Sequence, residues 1–270
     1  TGTAVGGDAS GTNIGVAPGA TWIAAKAWND AGIGLTSAFH LIFQWFLAPG
    51  GNPANAPDVV NNSWAFTSTG CITEFLPDVR AWRAAGIFPA FAAGNNGPNG
   101  GTALSPGNYA ESFAMGATNS LDNIASFSSR GPSPCDGLIR PDVSAPGVSV
   151  RSSIPGGYAI FSGTSMATPH VTGAVAVLRS INPNLTVDEL ESALTQGAVD
   201  LGTLGPDNTF GAGRLDLFQS AQLVLAAGPG QPDLGISSLS NPPATVVAGG
   251  SFTVTDTTRN SGTATAGGST

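Results

Sequence analysis

The sequence has 270 residues and a mass of 26.8 kDa, the size of one large domain or of one domain with an appendage. Hydrophobic residues make up 41% and charged residues only 10%, so a substantial core is expected. The net charge of −8 argues against the basic surface of a nucleic-acid-binding protein. No apolar stretch reaches the roughly 18 residues that a membrane-spanning helix needs.

Alternating strands and helices are predicted in the first half of the chain. The order is a short buried strand, an amphipathic helix capped by Ser37, a second strand, and a helix that stops at Gly86. Their predicted ranges are 22–28, 37–47, 59–64 and 76–86.

The second half continues the alternation. Strands are predicted at 87–93, 113–117 and 148–154, and helices at 166–180, 186–197 and 215–227. Pro89 is a mild objection to a central position for its strand, whereas Thr186 and Glu189 have the spacing of a capping box. Strands that alternate with helices predict an α/β fold, a parallel sheet with helices on both faces.

The composition changes after Ala227. A Gly/Pro-rich linker leads into a tail rich in Ser, Thr and Gly, with a β-type alternation at 251–255. We therefore predict two domains, 1–228 and 229–270. The second would be only the start of a β-sandwich module, because such a module needs about 100 residues.

Two cysteines, Cys71 and Cys135, allow one disulfide, and their spacing fits no common zinc pattern. A secreted protein would pair them, while two separate buried thiols are equally compatible with the sequence. Thr1 is not a start methionine and no leader follows it, so we expect a chain cut or processed at its front.

The segment 163–170, Gly-Thr-Ser-Met-Ala-Thr-Pro-His, gives the clearest indication of a catalytic residue in the sequence. Ser165 stands where a helix begins, and a helix N-terminus offers positive potential and free N–H groups to an oxyanion. Gly163 would let a substrate backbone come close. The alternative is an ordinary helix cap, the commoner role of serine before an apolar helix.

Two further segments follow predicted strands. Asn95 comes just after the strand at 87–93, where ligand sites of parallel sheets lie, and its amide is a candidate hydrogen-bond donor. Residues 61–65 end another strand, which could pair with an extended peptide. The alternatives are an Asn-Gly turn and a plain strand-to-loop transition.

Taken together, these segments resemble the subtilases, the subtilisin-like serine peptidases. Residues 163–167 with Pro169 and His170 match the nucleophile signature of that family almost letter for letter. The resemblance covers about residues 1–228. It extends to further segments: 15–20, 144–147 and 210–216 in the family order, 81–89 and 126–132 as in the bacillopeptidase F group, and a tail from Asp233 similar to a CARDB-type domain.

The resemblance implies a serine endopeptidase that cleaves proteins through an acyl-enzyme on Ser165. Asn95 would donate to the oxyanion hole from its side chain, and the Ser165 backbone N–H would be the second donor. The residues expected to bind substrate are Ser63, Trp64, Ala65, Ala92, Ala93, Gly94, Gly163 and Thr164. Ala65 departs from the family's usual glycine, which would narrow the cleft.

The sequence offers no suitable general base to accept the proton of the Ser165 hydroxyl. His170 lies five positions after Ser165 and would point roughly 140° away on a helix, and His40 fits a packed or partly exposed helix histidine. The resemblance implies that the catalytic His and Asp lie upstream of Thr1, together with two strands of the sheet. We therefore expect the chain to be an N-terminally truncated piece of an active peptidase. This piece would be inactive by itself, and its sheet would lack a central strand.

Two other functions compete with this one. A non-catalytic peptide-binding or adhesion protein on a degenerate peptidase fold is the main alternative, whereas an α/β-hydrolase esterase would need a well-placed histidine after Ser165. The resemblance implies a polypeptide substrate, no cofactor, an extracellular location and a monomer. It allows structural calcium, with 105–109 similar to a weak cation loop, but assigns no metal ligand.

Overall fold

The structure is a computed structural model, and it describes residues 1–9, 11–227, 234–239 and 256–260. The chain divides into two compact units, Thr1–Leu223 and Val224–Thr270. The predicted strand at 251–255 and the linker at 228–232 lie outside the described residues, so the CARDB-type module stays a prediction.

Helices and strands alternate along residues 1–227. The helices are α1 (Gly2–Val5), α2 (Thr36–Leu47), α3 (Leu76–Ala84), α4 (Thr164–Ile181), α5 (Val187–Gln196) and α6 (Leu217–Ala227). The strands are β1 (Val59–Asn62), β2 (Phe88–Ala92), β3 (Phe113–Thr118), β4 (Val143–Pro146), β5 (Val150–Ile154) and β6 (Gly157–Phe161). In the second unit, β7 (Leu234–Leu239) and β8 (Asp256–Asn260) pair antiparallel.

A four-stranded parallel sheet in the order β1-β2-β3-β4 forms the centre of the first unit. The apolar helix α4 packs along all four strands, and α3 packs against β2 and α2. This confirms the predicted α/β fold with a parallel sheet and helices. The parallel direction brings the carboxyl ends of β1 and β2 to one edge, next to the start of α4.

Pro89 does lie in a central strand. Its partner in β1 is Val60, but the pairing of β2 with β3 begins only at Ala90. The ladder on that side therefore needs no N–H from Pro89, which removes the usual objection to proline inside a sheet.

Aromatic side chains fill the layer between α2, α3 and the sheet. The ring centroids of Phe43 and Trp82 are 4.1 Å apart, and those of Phe39 and Trp64 are 4.7 Å apart. The buried indole of Trp82 donates a hydrogen bond to the Phe43 carbonyl at 2.9 Å, so its polar group is satisfied. Trp64 joins this cluster from the end of β1.

The prediction of a buried strand at 22–28 was wrong. This segment has no regular secondary structure, and Trp22 is 61% exposed. It borders a cavity of about 1060 Å³ that β1 also lines. No described strand pairs with 22–28, and an apolar run without a partner for its backbone groups does not form a ladder.

Two other strand predictions need correction. Residues 150–154 do form a strand, but β5 pairs with β6 in an antiparallel hairpin outside the main sheet. The fourth strand of the sheet is β4, which the sequence did not reveal because it is only four residues long and ends in Pro146. Short strands carry too few residues for a periodic pattern.

Two of the local end signals were confirmed, whereas Ser37 is not the cap of α2, because this helix begins at Thr36 with Leu35 at the N-cap position and no side-chain cap. The Thr186 side chain accepts from the Glu189 N–H while the Glu189 carboxylate accepts from the Thr186 N–H, which is a capping box at the start of α5. Gly86 has φ 79° just after α3. Cys71 and Cys135 form a disulfide, which decides between the two alternatives for these residues.

Candidate active site

Ser165 is the second residue of α4 and is half-buried at the carboxyl edge of the sheet. Proline at position 169, one turn later, has no N–H to give to the Ser165 carbonyl. That carbonyl instead accepts a hydrogen bond from the Ser63 hydroxyl at 2.9 Å. In return the Ser165 hydroxyl donates to the Ser63 carbonyl at 3.1 Å. This reciprocal pair joins the residue after β1 to the start of α4.

Asn95 lies three residues beyond β2, after Gly94, which has φ 108°. Its Oδ1 accepts from the Thr164 backbone N–H at 2.9 Å and from the Thr164 hydroxyl at 3.0 Å. Because Oδ1 is held in this way, Nδ2 is the end of the amide left to donate to a ligand.

The Asn95 amide and the Ser165 backbone N–H border one small space. A Cβ atom built on Gly163 would lie 3.6 Å from Asn95 Nδ2 and 3.6 Å from Ser165 N. A side chain at position 163 would therefore fill the space that both donors face. Two N–H groups beside a serine hydroxyl at a helix N-terminus can stabilise an oxyanion formed when that serine attacks a carbonyl.

A pocket of about 260 Å³ opens beside Ser165. Its lining residues are Trp64, Ala65, Phe66, Thr67, Ala92, Gly94, Asn95, Asn96, Leu104, Thr164 and Ser165. Most of the residues predicted to bind substrate thus gather around it.

Three of the predicted residues lie just outside the pocket lining. Ser63 contacts Ser165 directly, and Gly163 is the helix cap. Ala93 is fully buried, and its backbone N–H and carbonyl pair with Met115 and Leu104. The contribution of these residues to substrate binding stays a prediction.

The lining also includes Phe66, Thr67, Asn96 and Leu104, which the sequence analysis did not single out. Phe66 is held over the pocket because its N–H donates to the Ser105 carbonyl at 2.8 Å. Leu104 returns to the site along a loop, nine residues after Asn95. No local pattern marks such residues, because the loop path alone brings them to the pocket.

Neither histidine contacts Ser165. His170 Nδ1 is 2.9 Å from the Met166 carbonyl, and burial lowers the pKa of its imidazole. The His40 ring packs against Phe75 at an interplanar angle of 60°, and its nitrogens lie 3.1 Å from Glu74 and 2.8 Å from Asp78. These contacts confirm that His40 is a partly exposed helix histidine and that His170 is engaged elsewhere.

The segment 105–109, which resembles a cation loop, does not fit a metal ion. The carbonyls of Gly107 and Tyr109 accept hydrogen bonds from the buried guanidinium of Arg140, at 3.2 and 2.6 Å. A side-chain cation already occupies the position between these oxygens. Within the described ranges, no cluster of three or more His, Cys, Asp or Glu side chains could hold a metal ion.

Comparison with known proteins agrees with this geometry. The sequence pattern of Peptidase_S8, the subtilase family, matches residues 1–213. The chain belongs to the subtilase family. It is 47% identical over 244 residues to bacillopeptidase F of Bacillus subtilis (strain 168), a match that covers 83% of this chain and 16% of that protein.

Other subtilases match over a similar range. Subtilisin E of Bacillus subtilis (strain 168) is 36% identical over 214 residues, which cover 77% of this chain and 51% of that protein. The solved structure of sphericase superposes with a TM-score of 0.70 at 30% identity, covering 79% of this chain and 74% of that chain. This chain therefore spans about half of subtilisin E and a smaller part of bacillopeptidase F.

Proposed function

We propose that the protein is a serine endopeptidase that hydrolyses peptide bonds of polypeptides through an acyl-enzyme on Ser165. The observation that carries the proposal is the hydrogen-bonded attachment of Asn95 to Thr164, which holds an amide donor next to the serine at the helix N-terminus. Membership of the subtilase family supports the same reaction class.

In the proposed reaction the Ser165 hydroxyl attacks the peptide carbonyl and gives up its proton to a general base. The carbonyl oxygen becomes an oxyanion that accepts hydrogen bonds from Asn95 Nδ2 and the Ser165 N–H. Collapse of this intermediate expels the amine, which takes up the proton, and water then hydrolyses the ester.

We infer that the general base and its orienting carboxylate come from residues outside these 270. Both histidines of the sequence are engaged away from Ser165, His40 with Glu74 and Asp78 and His170 with the Met166 carbonyl. The 270-residue chain is then expected to lack useful peptidase activity by itself.

The test uses the natural full-length protein and a serine-directed fluorophosphonate, with the labelled peptide mapped by mass spectrometry. Labelling at Ser165, lost in Ser165→Ala, together with casein cleavage supports the proposal. Ser162→Ala is a matched control, because this exposed serine lies outside the site. Strong casein cleavage by the 270-residue chain would contradict the external base.

A peptide-binding or adhesion protein on a degenerate peptidase fold is the second candidate. The carboxyl edge of the sheet beside the pocket would then bind a peptide without catalysing its cleavage. Full-length protein that binds casein peptides but neither cleaves casein nor reacts with the phosphonate would favour it.

We further propose an extracellular, monomeric protein. The disulfide between Cys71 and Cys135 supports an oxidising compartment, since such bonds are rare in the cytosol. No helix among the described residues is long and apolar enough to cross a membrane. Structural calcium would have to bind away from the loop that Arg140 occupies; unchanged thermal unfolding in the presence of a chelator would argue against it.

A further inference from the structure

Two Asn-Gly dipeptides occur in the sequence, at 96–97 and at 99–100, and both lie in the loop that follows β2. An asparagine before glycine can react with its own backbone, because glycine has no Cβ to shield its nitrogen from the asparagine side chain. Both asparagines are exposed, so exposure does not distinguish them. The hydrogen bonds of the two glycine nitrogens do.

The backbone of the first dipeptide is fixed. The Gly97 N–H donates to the Phe127 carbonyl at 2.8 Å, and the Asn96 N–H donates to the Ser129 hydroxyl at 3.0 Å. Gly97 also packs closely against the neighbouring chain, because a Cβ built on it would lie 2.2 Å from the Ser128 carbonyl oxygen. The Gly97 nitrogen therefore cannot turn toward the Asn96 side chain unless these contacts open.

The second dipeptide has a free nitrogen. Gly100 lies at an exposed turn, and its N–H donates to no acceptor within the part of the chain that the structure describes. The next residue, Gly101, holds the turn by donating to the Gly131 carbonyl at 2.9 Å. The Asn99 carbonyl accepts from the Thr102 hydroxyl at 2.7 Å, which polarises the peptide group and makes the Gly100 N–H more acidic.

We propose that Asn99 is a self-modification site, at which the Gly100 backbone nitrogen attacks the side-chain amide and converts asparagine into aspartate or isoaspartate. The nitrogen forms a bond to Asn99 Cγ, the bond from Cγ to the side-chain nitrogen breaks, and that nitrogen leaves as ammonia with the proton of Gly100. Water then opens the cyclic imide at either carbonyl and leaves a carboxylate. No electrons are exchanged, and water is the only co-reactant.

The modified residue changes the loop beside the candidate active site. The turn at 98–101 lies between Asn95 and Leu104, which both line the pocket at Ser165. The new carboxylate adds negative charge to a chain with a net charge of −8. An isoaspartate also lengthens the backbone, because the chain then continues through the former side-chain carbon. The reaction needs only residues of this loop, so the inference does not depend on the proposed peptidase function.

The experiment follows deamidation in the full-length Ser165→Ala protein, in which self-cleavage cannot consume the sample. The protein is held at pH 9, since base removes the proton of the attacking nitrogen, and fragment-ion mass spectrometry assigns the product to each asparagine over time. Asn99 is expected to react at least about tenfold faster than Asn96, because reaction at Asn96 first requires its hydrogen bonds to open. In guanidinium chloride, where the chain is unfolded, the two asparagines should react at similar rates.

Asn96→Gln and Asn99→Gln are matched variants, because glutamine keeps the amide but cannot close a ring of the same size. Asn99→Gln should remove the fast reaction, and Asn96→Gln should leave it unchanged. Equal rates in the folded protein, or a faster reaction at Asn96, overturn the inference. An excess of reaction at Asn99 that persists in guanidinium chloride also overturns it, since the difference would then come from neighbouring residues and not from the fold. Casein cleavage has no bearing on these outcomes, so failure of the peptidase proposal is seen separately.

Discussion

At the scale of single residues, the site depends on polar groups that hold one another in place. Asn95 is fixed by two hydrogen bonds from Thr164, and Ser165 by its exchange with Ser63. These contacts order the site before any substrate is present. Preorganised donors stabilise a developing charge without reorganisation at the moment of reaction.

Thr164→Val removes one of the two hydrogen bonds to Asn95 and keeps the shape of the fully buried side chain. We expect kcat of the full-length enzyme to fall about two- to tenfold with little change in KM, since a neutral hydrogen bond contributes about 0.5–1.5 kcal/mol. In an Asn95→Leu background the same change should have no further effect. Equal losses in both backgrounds would show that Thr164 acts independently of Asn95.

The buried side chain of Arg140 forms an ion pair with Asp142, with 3.1 Å between Nη1 and Oδ1. Desolvation raises the pKa of Asp142 to about 6, against the opposing effects of Arg140 and the Ala114 N–H. Arg140→Met removes the ion pair of this carboxylate, which keeps its hydrogen bond from the Ala114 N–H, and also removes the guanidinium hydrogen bonds to the carbonyls of Gly107, Tyr109 and Ile139. We expect a loss of about 3–5 kcal/mol in the free energy of unfolding at pH 8.

The loss should be smaller at pH 5. Without Arg140 the folded-state pKa of Asp142 rises further above its unfolded value, so the variant is most stable where this group is protonated and loses stability as the pH rises. Urea titrations at pH 5 and pH 8 check this. A second change, Asp142→Asn, should recover part of the loss at pH 8, whereas no recovery would assign the whole effect to the carbonyls of Gly107, Tyr109 and Ile139.

At the scale of secondary-structure elements, one histidine connects α2 to the α3 region, and we expect this connection to depend on pH. His40 on α2 contacts Asp78 on α3 and Glu74 just before it. The hydrogen bond with Glu74, and then the bond and charge of Asp78, raise the pKa of His40 in spite of desolvation. A raised folded-state pKa means that the protonated histidine stabilises the fold.

That stabilisation is fully present below the unfolded-state pKa of about 6.5 and is lost as the pH rises through the folded-state value. In His40→Gln, the free energy of unfolding should therefore fall less between pH 6 and pH 9 than in the wild type. His170→Gln is a control with the opposite sign, because burial lowers the pKa of His170. An identical pH slope in wild type and His40→Gln would contradict the assignment.

At the scale of the whole molecule, one covalent bond joins distant parts of the chain. The disulfide links Cys71 to Cys135 across 64 residues. It connects the segment around Cys71, which follows the pocket residues 64–67, to the loop between β3 and β4 that contains Cys135. Next to Cys71, the Ile72 N–H also donates to the Ser105 hydroxyl at 3.0 Å. A disulfide that closes a loop of this length strongly restricts the conformations of the unfolded chain.

Replacing both cysteines, Cys71→Ser with Cys135→Ser, should lower the free energy of unfolding by about 2–4 kcal/mol, because the unfolded chain regains loop entropy. Urea titration with and without a reducing agent is the measurement. Reduction should shift the wild type to the midpoint of the variant and leave the variant unchanged. A reducing agent without effect on the wild type would mean that the bond does not contribute to stability in solution.

The sequence alone determined the features that depend on neighbouring residues. The capping box at Thr186, the helix end at Gly86 and the nucleophile segment at Ser165 are set by backbone geometry within one or two turns. The order of most strands and helices followed from hydrophobic periodicity for the same reason. The sequence therefore predicted that residues able to bind a ligand would lie at the carboxyl ends of the strands.

Only the tertiary structure decided which distant residues meet. Ser63 and Ser165 are 102 positions apart, and the packing of α4 across the sheet brings them together. The tertiary structure also leaves 22–28 without a strand partner, pairs Cys71 with Cys135 in a disulfide, and brings Leu104 to the pocket. Such contacts depend on where loops return and how layers stack, which no pattern of neighbouring residues encodes.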